Sequence, residues 1–289
     1  MKLCMFSPKG RHLTRGWPGR IEGDRVIQLA AQTLQSFFTG GGTAREHAEY
    51  ALDEIELLPP VAHPPSVRDF YAFEAHVRNA YAHRGLEVPP EWYEQPVFYF
   101  SNPFAIFGPE ADVPSPEATQ ELDYELEVAA IVGADERIGG FTIMNDWSAR
   151  DLQRQEMKVG LGPAKGKDFA TSLGPIVVTP DEFDGSEAEM VARVNGQERS
   201  RGNLRDLHWP WERLLEQARL NTRLCAGDVL GSGTVGTGCI LEHGDGRWLR
   251  PGDGVELEVE GLGILRNTVK LGPRSRESRK VGGPPASTW

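Results

Sequence analysis

Residues 121–132 read ELDYELEVAAIV, and alternation with a period of two marks them as a β-strand. Leu122, Tyr124, Leu126 and Val128 fall on one face, and Glu121, Asp123, Glu125 and Glu127 on the other. The strand then runs on into AAIV, residues 129–132, an apolar run typical of a strand covered on both faces. A strand so placed is badly situated to solvate its upstream carboxylates. Same-face neighbours roughly 6 to 7 Å apart repel, and burial worsens the repulsion unless a cation neutralises it. The alternative is a polar face turned to water, the commoner fate of an alternating strand. Residues 255–260, VELEVE, supply an internal comparison. Glu256, Glu258 and Glu260 alternate in the same way, but between the turn sequences PGDG and GLG, as in a half-exposed hairpin.

The rest of the chain sets the class. At 289 residues it is long enough for one large domain or two unequal ones. The 33 Gly and 21 Pro, spaced between many short strand-like runs, predict a turn-rich, β-rich α+β protein. The net charge of −11 argues against sequence-independent nucleic-acid binding, which needs basic surface. No apolar run approaches the length of a membrane span, and MKLCMF meets polar SPKGRH too early for a signal-peptide core, so the expected location is the cytoplasm. Cys4, Cys225 and Cys239 are widely spaced and form no metal or disulfide pattern.

Residues 1–62 read as a small N-terminal module, with strands at KLCMFS and RVIQLA and a helix through AREHAEYALDEIEL, closed by the stiff PPVAHPP. Residues 63–289 read as the main domain, with a basic, Gly/Pro-rich tail from about 271. Its clearest helix is PWERLLEQARLN, with Pro210 near its start and Leu214, Leu215 and Ala218 at helical spacing.

A second acidic segment, TIMNDWSARDLQ (142–153), places Asp146 at the end of an apolar strand. There it completes a metal site or caps the following helix. Taken in order, DYELEVAAIVG, MNDWSARDLQ, GKDFATSLGP and GTVGTGCILE resemble the fumarylacetoacetate hydrolase family. That resemblance implies a mixed β-sandwich roll, a homodimer, and a divalent ion held by carboxylates, Mg²⁺ or else Ca²⁺ or Mn²⁺. It also implies a small diketo or 2-oxo acid substrate. By position, Glu125, Glu127 and Asp146 match metal ligands. DFYAFEAHVRNA is similar to the fumarylacetoacetase segment in which Asp69 matches a fourth ligand, Tyr71 a substrate contact and His76 the catalytic histidine. Glu242 matches the acid that orients this histidine, and Lys167 and Arg150 match active-site cations. Arg84, Tyr99, Gln153 and Thr234 match residues near the substrate. Two spacings depart from the pattern by one residue: Asp146 to Lys167 is longer, and Arg84 comes early. His76 also suits an amphipathic surface helix.

An all-oxygen ligand set suits hard divalent ions and not zinc. No serine or cysteine stands in a nucleophile arrangement, which leaves water activated by His76. Joined to what the resemblance implies, this makes the expected activity metal-dependent hydrolysis of a C–C bond in a fumarylacetoacetate- or acylpyruvate-like diketo acid. The alternative is decarboxylation or tautomerisation of a 2-oxo acid of aromatic catabolism at the same site.

Overall fold

The computed structural model describes residues 1–272, so the tail expected from about residue 271 lies almost wholly outside the described residues. Among those residues, twelve strands form one mixed sheet. Its path runs Glu46–Ala51, Arg25–Leu29, Trp17–Glu22, Lys2–Pro8, Thr171–Val178, Ile138–Asp146, Leu126–Val132, Val229–Gly231, Val67–Phe70 and Phe98–Ser101, with Ile55–Leu58 and Ile106–Phe107 paired off this path to Lys2–Pro8 and Thr171–Val178. Five further strands, among them Glu189–Val194 and Gly254–Val259, form a second sheet.

The apolar stretch Leu126–Val132 is buried throughout because both of its faces are covered. Leu126, Val128, Ala130 and Val132 share a core with Met190, Ala192, Leu257 and Val259 of the second sheet. Ala129 and Ile131, on the other face, pack with Leu3, Leu29, Leu34 and Phe37. The architecture is thus β-rich with few helices. The Trp211–Arg219 helix lies as its periodicity requires, with Trp211, Leu214 and Ala218 buried.

The N-terminal segment adds a strand Trp17–Glu22 and a helix Leu34–Thr39 that the sequence reading did not mark, and it departs from expectation at the predicted helix. AREHAEYALDEIEL is not a helix: it forms the strand Glu46–Ala51, a single 3₁₀ turn and the strand Ile55–Leu58. Its Ala, Glu and Leu favour helix locally, but cross-strand ion pairs and the sheet edge prevail. Arg20 Nη2 and Arg25 Nη1 lie 2.6 Å from Glu46 Oε1 and Glu49 Oε1 respectively. Lys2–Pro8 pairs directly with Thr171–Val178, so the first strands continue the large sheet. The comparison strand Gly254–Val259 alternates buried and half-exposed residues, and Glu258 reaches Arg193 at 2.6 Å.

Candidate active site

Register in the large sheet sets three carboxylates on one face. Glu127 lies opposite Met144, with Asp146 two residues beyond on the same side. Ala129, two residues after Glu127, lies opposite Gly231, which in turn lies opposite Asp69. Cross-strand partners and i, i+2 neighbours share a face, so Asp69, Glu127 and Asp146 project together. Tyr99, opposite Asp69, joins them, and its hydroxyl donates to Asp146 Oδ2 at 2.5 Å. Gly231 makes room for the convergence: a Cβ there would press on Asp69 Oδ1 and come within 3.1 Å of Glu127 Oε2.

Glu125 arrives differently. The alternating stretch breaks between Leu122–Asp123 and Leu126–Val132, and in the break the Glu125 N–H donates to Asn145 Oδ1 at 3.0 Å. One oxygen each of Asp69, Glu125 and Glu127 then lies within 4.8 Å of the others.

Five buried carboxylates, Asp69, Asp123, Glu125, Glu127 and Asp146, share this space with two fixed cations, Arg150 and Lys167. Lys167 Nζ donates to both Glu125 Oε2 and Asp146 Oδ2, at 2.5 Å from the first. Arg150 donates from Nε to Asp123 Oδ2 at 2.9 Å and sets Nη2 2.6 Å from Glu125 Oε1. The charges divide accordingly. Burial raises the Glu125 pKa, but Arg150 and Lys167 outweigh it and hold the carboxyl below its ordinary range. Burial and then the charge of Asp146 push Asp69 well above that range, and burial with Asp69, Glu125 and Asp146 does the same to Glu127. Burial disfavours the Lys167 ammonium, yet Asp146 and Glu125 keep it charged.

These residues fit a divalent ion. With the carboxylates ionised, Asp69 Oδ1, Glu127 Oε2 and Asp146 Oδ1 are buried and meet no hydrogen-bond donor among the described residues. Such orphaned acceptors are costly, and an all-oxygen set of this kind is what a hard cation takes.

Beside the cluster stands a second arrangement. His76 is buried on the helix Glu74–Ala82, with Nδ1 2.9 Å from Glu242 Oε2. Glu242 sits on the short helix Ile240–His243. Burial raises its pKa, but the hydrogen bond and charge of His76, with Asn79 and the Thr237 N–H, bring it below the ordinary value. Tyr71 packs edge-on to the His76 ring, centroids 5.3 Å apart. Burial, then the charge of Glu125, pushes the Tyr71 phenol up.

The remaining residues expected from sequence divide. Thr234 is buried, with Oγ1 3.4 Å from Glu127 Oε1, and Gln153 Oε1 accepts from Arg150 Nη1 at 3.2 Å. Arg84 is not drawn in: it is exposed past the end of its helix, stacked over Tyr81 at 5.2 Å. Sequence reasoning assigned no role to Asp123. It accepts from the Ile240 and Leu241 N–H groups at 2.7 and 3.1 Å as well as from Arg150. It therefore ties an active-site cation to the helix that carries Glu242. Its place in the acidic alternation was the available signal. Glu156 was also missed. Its carboxylate accepts from the N–H groups of Ala164, Lys165 and Gly166, just before Lys167.

Residues 66–270 match the family described as Fumarylacetoacetate (FAA) hydrolase C-terminal. The chain belongs to the fumarylacetoacetate hydrolase family. It is 29% identical to the oxaloacetate tautomerase YisK of Bacillus subtilis, over 86% of this chain and 84% of that one. It is 26% identical to the fumarylacetoacetase of Arabidopsis thaliana, over 83% and 72%. Among solved structures, the 5-carboxymethyl-2-hydroxymuconate delta-isomerase of Mycobacterium smegmatis superposes with a TM-score of 0.74 at 29% identity, covering 94% of this chain and all of that one. The fumarylacetoacetate hydrolase family thus holds hydrolases, tautomerases and isomerases. Its enzymes act on small organic acids and typically use a divalent metal, for which this chain has an acidic cluster. Among the described residues no helix is long and apolar enough to cross a membrane.

Proposed function

We propose that the chain is a divalent-metal-dependent hydrolase that cleaves a C–C bond in a fumarylacetoacetate- or acylpyruvate-like diketo acid. The observation that carries this reading is the buried His76–Glu242 pair, 2.9 Å apart, beside the carboxylate cluster. Asp69, Glu125, Glu127 and Asp146 would hold the ion, Mg²⁺ or else Mn²⁺ or Ca²⁺. When bound, such an ion polarises a carbonyl and supplies positive charge for the electrons released as the C–C bond breaks.

Glu242 faces His76 Nδ1, which fixes the ring's tautomer and leaves Nε2 to accept the proton of water. The hydroxide so formed adds to the carbonyl carbon, the C–C bond breaks, and the departing carbon takes up a proton. Lys167 and Arg150, both charged and buried, stabilise negative charge that develops on substrate oxygen. Tyr71, Tyr99, Gln153 and Thr234 line the substrate, and Arg84 reaches its carboxylate only if the end of the helix Glu74–Ala82 turns inward. A cytoplasmic homodimer completes the reading. The large sheet ends on Phe98–Ser101, whose Phe100 is 63% exposed, an edge suited to a second copy.

The likeness to the Bacillus tautomerase favours a second reading, tautomerisation or decarboxylation of a 2-oxo acid such as oxaloacetate, which needs no activated water. The two separate in one ratio, acylpyruvate hydrolysis over oxaloacetate decarboxylation at saturating Mg²⁺. His76→Ala is expected to lose hydrolysis by a factor on the order of 10² or more, and Glu242→Gln somewhat less, while decarboxylation falls little. An unchanged ratio, with both rates only slightly lowered, gives the site to the second reading.

A further inference from the structure

Three ligand types meet behind the histidine. Cys239 Sγ lies 3.4 Å from Glu242 Oε2, His76 Nδ1 lies 2.9 Å from the same oxygen, and one donor atom of each residue lies within 4.8 Å of the others. Cys239 is fully buried and His76 is 4% exposed. The other oxygen of Glu242 is fixed from behind by Asn79 Nδ2 at 2.8 Å and the Thr237 N–H at 3.1 Å. Oε2 is thereby aimed at the sulfur and the ring nitrogen. Outer hydrogen bonds of this sort orient ligands in metal sites.

We propose that Cys239 Sγ, His76 Nδ1 and Glu242 Oε2 form a second cation site, separate from the carboxylate cluster, that takes a soft divalent ion of the zinc class. The donors are sulfur, nitrogen and oxygen, zinc's preferred set, whereas Asp69, Glu125, Glu127 and Asp146 offer oxygen alone. Tetrahedral zinc with bonds of roughly 2.0 to 2.3 Å spaces its ligands about 3.3 to 3.8 Å apart. The separations of 2.9 Å from His76 Nδ1 and 3.4 Å from Cys239 Sγ to Glu242 Oε2 lie close to that spacing, and water supplies the fourth position. On binding, the Cys239 thiol gives its proton to solvent, and the imidazole proton comes to rest on Nε2 as Nδ1 takes the metal.

The site shares two residues with the proposed dyad, so its occupancy has a cost in turnover. An imidazole metallated at Nδ1 and protonated at Nε2 has no lone pair for the proton of water. Zinc is therefore an inhibitor even when Mg²⁺ fills the carboxylate cluster. This effect on turnover rests on the hydrolase reading, whereas the site itself rests on its three ligands.

Co²⁺ as a spectroscopic stand-in tests both parts on the full chain at saturating Mg²⁺. The expected result is a thiolate-to-Co²⁺ absorption band in the near ultraviolet that Zn²⁺ abolishes. The band should be absent from Cys239→Ala and Cys239→Ser and retained in Cys225→Ser. The two Cys239 variants should keep Mg²⁺-supported turnover, which shows that they fold, and should need about tenfold more Zn²⁺ or more for half-inhibition. Absence of the band in the wild type, or its persistence in both Cys239 variants, overturns the site. A band lost in the variants, with wild-type turnover indifferent to Zn²⁺, upholds the site and counts against His76 as the base.

Discussion

At the scale of single residues, the acids matter for what they hold as much as for their charge. Asp123 receives Arg150 on one side and the Ile240 and Leu241 N–H groups on the other. Asp123→Asn keeps the shape but leaves Arg150 with one fewer buried partner and weakens the anchor of the Glu242 helix. We expect a loss of about 3 kcal/mol or more in urea unfolding, together with reduced turnover. A stability change within about 0.5 kcal/mol, the usual size for a surface substitution, would contradict the anchoring role. The residue-level reading was the most legible part of the sequence. Glu127 and Asp146 were marked by strand alternation and a strand end, whereas Asp69 and Lys167 were matched only through the family resemblance, and Glu125 enters across a break in the strand. The Asp123 link was not legible, because its partners at residues 240 and 241 lie more than a hundred positions away and become neighbours only through the fold. Arg84 matched a pattern by position, but its place past the end of a helix depends on how that helix ends.

At the scale of elements, Lys167 is set by the segment before it. The helix Arg150–Met157 offers Glu156, whose carboxylate gathers three N–H groups of residues 164–166 and closes the loop 158–165 upon itself. Gly166 packs against the Gln153 backbone so closely that a Cβ would come within 2.8 Å of the Gln153 nitrogen. Burial raises the Glu156 pKa, but the three N–H groups outweigh it and leave the folded value below the ordinary one. A depressed carboxyl pKa contributes stability above the unfolded value and loses it as pH falls through the folded value. The latch should therefore open over the interval below the ordinary glutamate pKa of about 4.3. Amide exchange at residues 164–166, corrected for intrinsic rate, should lose protection across that interval in the wild type. Glu156→Gln should show no such step, and a step of equal size in both would exclude the carboxylate as its cause. Element types were legible where pattern and environment agreed, as in Trp211–Arg219. They were not legible at residues 46–58, where helix-forming composition yielded to cross-strand pairing with Arg20 and Arg25.

At the scale of the whole molecule, the proline-rich stretch 59–65 separates the chain on paper more than in space. Val61 is buried in the same cluster as Leu3, Leu34, Ala129 and Met144, and Lys2–Pro8 hydrogen-bonds to Thr171–Val178. We propose that residues 1–62 fold only with the remainder. A chain truncated to 63–289 should aggregate or lose cooperative unfolding, since it bares a strand edge and one side of a core. A monodisperse truncated chain with a sharp thermal transition would instead establish two independent units. The β-rich class itself was legible from strand density and turn spacing, whereas the mixed-sheet arrangement was implied only by the family resemblance. The joining of the first strands to Thr171–Val178 was not, because pairing partners so far apart leave no local mark.

The central claim is that Asp69, Glu125, Glu127 and Asp146 point inward because a divalent ion belongs among them. Its most direct test is the melting temperature of the metal-stripped chain at pH 8, with and without Mg²⁺, for wild type, Glu127→Gln and Glu258→Gln. An ion present at about a hundred times its dissociation constant adds about 2.7 kcal/mol, a rise of roughly 4 to 5 °C for a chain of this size. The account predicts that rise in the wild type and in Glu258→Gln, whose site lies on the half-exposed strand. It predicts no rise in Glu127→Gln, which without metal should melt at or above the wild type because one buried repulsion is gone. A wild type unmoved by Mg²⁺, Mn²⁺ and Ca²⁺ alike, with metal-free Glu127→Gln melting well below it, would contradict the account.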